Sequence, residues 1–141
     1  MHSLLLSEAD YSLLADFRYR IRLFLHFSES SARTVKLEPQ HHQLLLALRA
    51  QPDSHAVIGV LAERLQIQHN TAVELVDRLA RRGLVRRSRA ADDRRCVIVG
   101  ITARGNATLE KLSQSHLDEL RRAGPSLVRS LNAVVRRSHA K

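Results

Sequence analysis

Hydrophobic residues recur along most of this chain with the period of an α-helix. The first apolar stripe, between Leu13 and Leu25, follows Ser7 to Asp10, whose spacing resembles a capping box. This pattern predicts a long first helix that ends near Ser31. All five aromatic residues of the chain lie in this segment and occupy more of the helix circumference than one buried stripe would. We therefore expect a partner subunit to cover part of this helix.

Three shorter helices are predicted between residues 39 and 82. Pro39 suits the first position of the second helix, which should stop near Gln51-Pro52. Asp53-Ser54 offers a cap for the third helix. The fourth helix covers about residues 69–82 and ends at Gly83, a suitable left-handed terminator. Its predicted buried stripe consists of Ala72, Leu75, Val76 and Leu79.

The spacing changes from helical to strand-like after Gly83. Two apolar-rich runs, Leu84–Ser88 and Cys96–Ile101, flank a polar turn that contains Asp92, Asp93, Arg94 and Arg95. In the second run, Val97, Val99 and Ile101 alternate along the chain and share one face, as expected for a half-buried strand. The pattern predicts a β-hairpin, or wing, directly after the helical pair formed by the predicted third and fourth helices.

The last forty residues again show helical spacing. Thr102 is placed to cap a fifth helix, and Gly124-Pro125 is expected to break it and to start a sixth. Both predicted helices carry an apolar stripe, but the sequence offers no third layer to cover them. We therefore expect a dimer.

Positive charge is concentrated in the predicted helical pair and wing. The chain carries a formal net charge of +9, and residues 78–95 contribute +6 of it through eight arginines and two aspartates. A surface of this kind attracts polyanions at long range and releases their counterions on binding. Nucleic acid is the expected partner.

Length and composition restrict the class of protein. A chain of 141 residues with 44% hydrophobic residues is long enough for a buried core, either as one domain or with extensions that pack on a second copy. The single cysteine, Cys96, cannot form an internal disulfide, which agrees with a reducing cytoplasm. No apolar run approaches the roughly 20 residues needed to span a bilayer, so we expect no membrane insertion.

A set of short segments resembles a known family when they are taken in order. They are Leu37-Glu38-Pro39-Gln40, Leu44–Leu48, Leu61–Leu65, Leu75–Leu79 and Gly83–Val85. The strongest is Asp93-Arg94-Arg95 followed by Val97–Gly105. Together they resemble the multiple-antibiotic-resistance regulator (MarR) family of winged-helix repressors over about residues 10–138.

The resemblance implies a mainly α fold with a small β-hairpin wing. Residues 1–36 would form an N-terminal dimerisation helix, and residues 37–102 a winged helix-turn-helix DNA-binding region with its recognition helix at about 69–82 and its wing at about 84–101. Residues 103–141 would form C-terminal dimerisation helices. The N- and C-terminal helices would build one helical dimerisation region, so that the chain is a single intertwined domain.

The resemblance also implies a function. Family members commonly bind pseudopalindromic double-stranded DNA as homodimers and repress transcription until a small anionic or phenolic ligand, or an oxidant, releases the DNA. Half-sites would then lie about 10 bp apart, which is one helical turn of DNA. Neither the residue patterns nor the resemblance indicates a cofactor.

The candidate DNA-binding residues lie on the predicted recognition helix and wing. Asn70 can pair bidentately with adenine, and an arginine at a hairpin tip suits a narrow minor groove. As an alternative, the first polar residues only cap the helix and the arginines form a solvated turn. The full candidate set is Gln68, His69, Asn70, Thr71, Val73, Glu74, Arg78, Arg81, Arg86, Arg94 and Arg95.

Two acidic residues of the recognition helix need separate interpretations. Glu74 departs from the basic or small polar residue that is common there in the family, so it either accepts a hydrogen bond from cytosine or weakens DNA binding. Asp77 is predicted to pair with a nearby arginine. In the turn of the wing, Asp93 is predicted to form a charge-assisted hydrogen bond with Arg94 or Arg95.

The remaining candidate sites are less specific. The family resemblance implies an effector pocket that Arg18, Arg22, His26 and His41 would line. Cys96 is predicted to serve as a small apolar residue rather than a redox switch, because no second cysteine is present. The eight histidines lack the spacing of a metal site, since His41 and His42 point about 100° apart on a helix. No metal site is expected.

Two other classes of function are alternatives to a transcriptional regulator. An enzyme is disfavoured because the sequence shows no nucleophile–base pair, no glycine-rich phosphate loop and no paired carboxylates. A winged-helix module that binds proteins instead of DNA remains an alternative, which Glu74 supports.

Overall fold

The computed structural model describes residues 5–93 and 95–139 of the chain. Five helices and three strands follow one another in it. They are α1 (Glu8–Thr34), α2 (Pro39–Arg49), β1 (His55–Val57), α3 (Ile58–Leu65), α4 (His69–Arg81), β2 (Val85–Arg89), β3 (Val97–Ile101) and α5 (Ala103–His139). The predicted fold class, mainly α with a small wing, is confirmed.

The chain divides into two compact units. The described residues within 31–114 form the winged unit, and residues 5–30 together with 115–139 form the helical unit. The two divisions fall inside α1 and α5, whereas the regions that the resemblance implies meet at residues 36 and 102. Long helices conceal such boundaries, because their local pattern continues unchanged through them.

The winged unit has an apolar core, which explains why its three whole helices, α2, α3 and α4, form where the periodicity predicts them. The stripe Ala72, Leu75, Val76 and Leu79 is buried, as expected for α4. It packs with the buried leucines of α2 and with Leu61 of α3. Burying leucine and valine side chains contributes about 1.5–3 kcal/mol each, so this stripe fixes which face of α4 turns away from the core.

A three-stranded antiparallel sheet in the order β1-β3-β2 completes the winged unit. Val85 pairs with Ile101 and Arg89 with Val97, so the predicted hairpin is confirmed. Strand β1 was not predicted, and Ala56 in it pairs with Val99. The expectation that Asp53-Ser54 caps α3 is wrong: residues 52–54 form a short 3-10 turn and Val57 precedes the helix.

Two glycines are required where α4 passes into the wing and α5. Gly83 has φ +73°, a left-handed conformation that side chains disfavour, and it ends α4 as predicted. A Cβ on Gly105 would lie 2.1 Å from the carbonyl oxygen of Leu84, so only glycine permits this approach. Thr102 caps α5 as predicted, because its Oγ1 accepts the Gly105 N–H at 3.0 Å.

Helix α5 continues through Gly124-Pro125, so the predicted break and the separate sixth helix are wrong. Proline removes one helical hydrogen bond and normally kinks or ends a helix. Here side chains on both sides of Pro125 bond to α1: His116 lies 2.8 Å from the Ser28 hydroxyl, and Ser130 donates to Asp16 at 2.8 Å. These bonds hold the segments of α5 on both sides of Pro125 against α1 of the same chain.

The N-terminus of α1 in the helical unit is closed by the predicted capping box. The Ser7 N–H donates to Asp10 Oδ2 at 2.9 Å, and the Asp10 N–H donates to Ser7 Oγ at 3.2 Å. Arg137 of α5 donates to the same carboxylate at 2.8 Å. The Ser7 N–H, followed by Arg137, lowers the pKa of Asp10. The helix extends to Thr34, three residues beyond the predicted end.

Candidate nucleic-acid interface

The N-terminus of α4 presents polar side chains to solvent. Gln68 precedes the helix, and Gln68, His69 and Asn70 are exposed, whereas Thr71 and Val73 are half-buried. The first turn contains no acidic residue. Its backbone N–H groups, at the positive end of the helix dipole, are therefore suited to an anion such as a phosphate.

The exposed face of α4 also carries charged side chains. Glu74, Arg78 and Arg81 are exposed, while Asp77 is half-buried. Since the buried stripe fixes the rotation of α4, this charged face and the polar N-terminus form one continuous surface. This surface can approach a polyanion. Glu74 is the one acidic residue among the exposed residues of α4, all of which the structure describes.

The wing adds arginines beside that surface. Arg86 and Arg87 of β2 are exposed, as is Arg95 in the turn before β3. The Arg95 N–H donates to Asp93 Oδ1 at 3.0 Å, so Asp93 holds the backbone of the turn. Arg94, also a candidate, lies outside the described residues.

An ion pair joins α4 to the wing. The Arg87 guanidinium donates to the Asp77 carboxylate, which agrees with the prediction that Asp77 pairs with an arginine. The Arg87 guanidinium thus spans from β2 to α4 and orients the two elements relative to each other.

Arg82 has a contact that the sequence did not reveal. It is half-buried at the C-terminal end of α4 and donates to the carbonyl oxygens of Lys36 and Val35. These acceptors lie 46 and 47 residues earlier in the chain, so no local pattern signals the pairing.

Cys96 is exposed just before β3, so the expectation that it serves as a small apolar residue is wrong. The hairpin pairing that would bury a strand residue begins one position later, at Val97. Among residues 5–93 and 95–139, no three His, Cys, Asp or Glu side chains are grouped so that they could hold a metal ion.

The four candidate effector residues fall in different surroundings. Arg18 and Arg22 are exposed on α1, and His26 borders a cavity in the helical unit. His41 belongs to the winged unit and is 6% exposed. Burial, together with the positive charges of Arg78 and Arg82, lowers the pKa of His41.

The cavity in the helical unit has a volume of about 450 Å³. Phe24 and Phe27 of α1 and Leu120 and Leu127 of α5 contribute apolar walls. Its polar lining includes Arg20, His26, Arg122 and Glu119. This volume and mixed lining suit a small ligand with an apolar body and a charged group.

The sequence profile of the MarR family matches residues 36–95, which span α2, α3, α4 and the start of the wing. This part of the chain, 60 of its 141 residues, is similar to the MarR family. No curated protein matches the chain by sequence.

Solved structures of MarR-family regulators share the fold. AbsC from Streptomyces coelicolor is 21% identical, with a TM-score of 0.78 over 89% of this chain and 84% of its own. Sco3205 from the same organism, solved in complex with DNA, is 21% identical, with a TM-score of 0.77 over 98% of this chain and 90% of its own. BpsR from Bordetella bronchiseptica, whose DNA binding is regulated by 6-hydroxynicotinic acid, is 20% identical, with a TM-score of 0.67 over 87% and 95%.

Members of the MarR family are transcriptional regulators and not enzymes, so this similarity argues against the enzyme alternative. The described helices also contain no segment with the length and hydropathy needed to cross a membrane.

Proposed function

We propose that the chain is a homodimeric, cytoplasmic transcriptional repressor that binds a pseudopalindromic operator through α4 and the wing. The observation that carries this proposal is the exposed, polar N-terminus of α4 beside the arginines of α4 and the wing. A recognition helix reads base edges in the major groove with its N-terminal residues, while nearby cations contact phosphates.

Each candidate residue has a role in this proposal. Asn70 reads an adenine, and Arg95 enters the adjacent minor groove with Arg94. Arg78, Arg81 and Arg86 contact phosphates. Gln68, His69, Thr71 and Val73 contribute to the fit at the start of the helix. The DNA complex of the similarly folded Sco3205 supports this arrangement.

The homodimer is supported by the apolar surface of the helical unit. Large hydrophobic side chains of α1 and α5 are 41–57% exposed there, which is unusual for a stable surface facing water. They are Tyr11, Leu14, Tyr19, Leu23 and Leu25 on α1, and Leu117, Leu120, Val128, Leu131 and Val135 on α5. A second copy offers the same apolar faces and therefore covers them symmetrically.

A small anionic or phenolic effector is proposed for the cavity of the helical unit. Phe24 and Phe27 would stack on its ring, and Arg20 or Arg122 would bind its carboxylate or phenolate. The effector would release DNA by favouring a spacing of the two recognition helices that does not match successive grooves.

A winged-helix protein-interaction module is the second candidate. It is favoured by Glu74, an exposed acid on the proposed reading face, because a carboxylate repels phosphates unless it accepts from cytosine. An interaction module should keep its protein partner when the wing arginines are removed, whereas a regulator should lose DNA.

The test begins with selection of DNA by the full-length protein from a pool of random duplexes. The recovered duplex, here termed the selected duplex, should contain an inverted repeat with half-sites about 10 bp apart. Fluorescence anisotropy across a salt series should show log affinity falling by about 0.9 per phosphate contacted for each unit of log salt. Asn70→Ala should weaken binding and relax base preference at one position by about 1–3 kcal/mol.

Arg95→Ala and Leu46→Ala provide the contrast. Arg95→Ala should weaken binding to the selected duplex and reduce the salt slope. Leu46 is exposed on α2, which is part of neither α4 nor the wing, so Leu46→Ala should leave binding unchanged. If no sequence is enriched and the duplexes bind equally weakly, the operator-binding proposal is refuted and the interaction module becomes the better account.

A further inference from the structure

The C-terminal end of α1 has an unusual backbone conformation. Lys36 follows the helix with φ +60°, a left-handed conformation that is normally the place of glycine. The Lys36 N–H donates to Arg33 O at 3.0 Å, and the Leu37 N–H donates to Ala32 O at 3.0 Å. These bonds form a Schellman motif, and the carbonyls of Val35 and Lys36 lie just beyond Thr34, the last residue of the helix.

Arg82 supplies donors to both of these carbonyls. Its Nη1 lies 2.5 Å from Lys36 O, and its Nη2 lies 3.5 Å from Val35 O. A cation is favoured at this place because the C-terminus of a long helix carries partial negative charge. The planar guanidinium reaches both oxygens at once, which a lysine ammonium cannot match in geometry.

Arg82 is also the residue at which α4 ends. The Gly83 N–H donates to Ala80 O at 3.0 Å and the Leu84 N–H to Leu79 O at 3.0 Å, so a second Schellman motif fixes the backbone around Arg82. The side chain therefore connects a rigid end of α4 to a rigid end of α1. Unlike the exposed arginines 78, 81 and 86, it is half-buried.

We propose that Arg82 is a positioning residue for DNA recognition, which orients α4 through the carbonyl end of α1 and does not contact a phosphate. The inference rests on the proposed function, because it concerns how the same DNA-reading helix is held. It separates Arg82 from its neighbour Arg81, although the two are identical in type and adjacent in sequence.

The salt dependence of DNA binding distinguishes the two roles. A phosphate-contacting arginine contributes about 0.9 to the slope of log affinity against log salt, whereas a positioning residue contributes affinity without slope. We expect Arg82→Ala to weaken binding to the selected duplex about tenfold at every salt concentration, with the wild-type slope. Arg81→Ala is the matched control and should reduce the slope by about 0.9.

Amide hydrogen exchange of the DNA-free protein provides a second readout. Exchange at Lys36, Leu37 and Leu84 should be faster in Arg82→Ala than in the wild-type protein, and unchanged in Arg81→Ala. If Arg82→Ala does not fold, Arg82→Lys takes its place, since it keeps the charge but loses the two-pronged contact. It should show faster exchange and weaker binding with the wild-type slope.

Two results would overturn the proposal. One is a slope reduced by about 0.9 in the Arg82 variants with exchange unchanged, which would make Arg82 a phosphate contact. The other is unchanged affinity and unchanged exchange. Failure of the wild-type protein to bind any duplex would instead refute the proposed function, so the two failures are distinguishable.

Discussion

The winged unit and the helical unit differ in what holds them together. All eighteen buried hydrophobic residues of the described chain lie in the winged unit, where the largest of the almost fully buried side chains are leucines and valines. In the described part of the helical unit the one buried residue is Ser130. The winged unit thus has a core of its own, and the helical unit presents its apolar side chains outward.

Side-chain polar contacts join elements in both units. In the helical unit they pair α1 with α5 and include Ser130 with Asp16, His116 with Ser28, and Arg137 with Asp10. Exposed or half-exposed bonds of this kind give small net stability but specify register. The comparison indicates that the winged unit is stabilised by burial within the chain. The helical unit is aligned by polar bonds, and its exposed apolar faces are the ones that the proposed dimer would cover.

Removal of a core leucine should produce the largest effect. Leu45 is fully buried on α2 and its neighbour Leu46 is 50% exposed. Leu45→Ala should lower the free energy of unfolding by about 2–5 kcal/mol, because it leaves a cavity. Leu46→Ala should change it by no more than about 0.5 kcal/mol. Urea denaturation at one protein concentration measures both, and equal losses would contradict the existence of a closed core around α2.

Charging the apolar face of the helical unit should prevent dimerisation. Leu131 is 44% exposed on α5. Leu131→Glu should raise the dimer dissociation constant about a hundredfold or more, because the dimer would bury an unpaired carboxylate. Sedimentation should then give the 16.0 kDa mass of one chain. Leu46→Glu, at an equally exposed site in the winged unit, should remain dimeric; loss of the dimer in both variants would contradict the division of roles.

Acid should destabilise the winged unit through His41. The pKa of this buried imidazole is lowered from 6.5 by burial and by Arg78 and Arg82, so the folded form favours the neutral ring. As the pH falls below 6.5 the unfolded chain takes up a proton that the folded chain refuses. The stability that the neutral His41 contributes is therefore fully present above pH 6.5 and is lost as the pH falls toward the lowered pKa.

The control for this pH dependence is His41→Gln, which removes the titrating group. Urea denaturation of both proteins between pH 7.5 and pH 5 should show a smaller loss of stability in the variant. Parallel pH profiles would show that His41 does not carry the dependence.

The smallest expected effect belongs to the ion pair between α4 and the wing. Asp77→Ala, Arg87→Ala and the double variant form a thermodynamic cycle, and the half-exposed pair should give a coupling of about 0.2–1 kcal/mol. High salt should reduce it. A coupling of zero at low salt would mean that the pair does not hold β2 on the recognition helix.

Sequence periodicity was sufficient for α2, α4 and the hairpin because each has a local signature. The stripe of α4, the terminator Gly83 and the alternation in β3 all lie within a few residues of the element they define. The cap at Ser7 and the cap at Thr102 are local as well. These elements were predicted correctly.

The features that the sequence did not reveal depend on distant partners. Strand β1 forms because Ala56 finds Val99 on β3, and α5 continues through Pro125 because α1 bonds to both flanking segments. Arg82 was indistinguishable from the other arginines until its contact with Lys36 was known. In each case the deciding group lies at least 43 residues away in the chain.

The central claim is that the winged unit reads DNA while the helical unit joins the two copies. Amide hydrogen exchange of the full-length dimer with and without the selected duplex tests it most directly. Binding should slow exchange in α4 and in the wing between residues 68 and 101, and leave α1 up to residue 30 and α5 from residue 115 unchanged. Slowing confined to the helical unit, with α4 and the wing unaffected, would contradict the account.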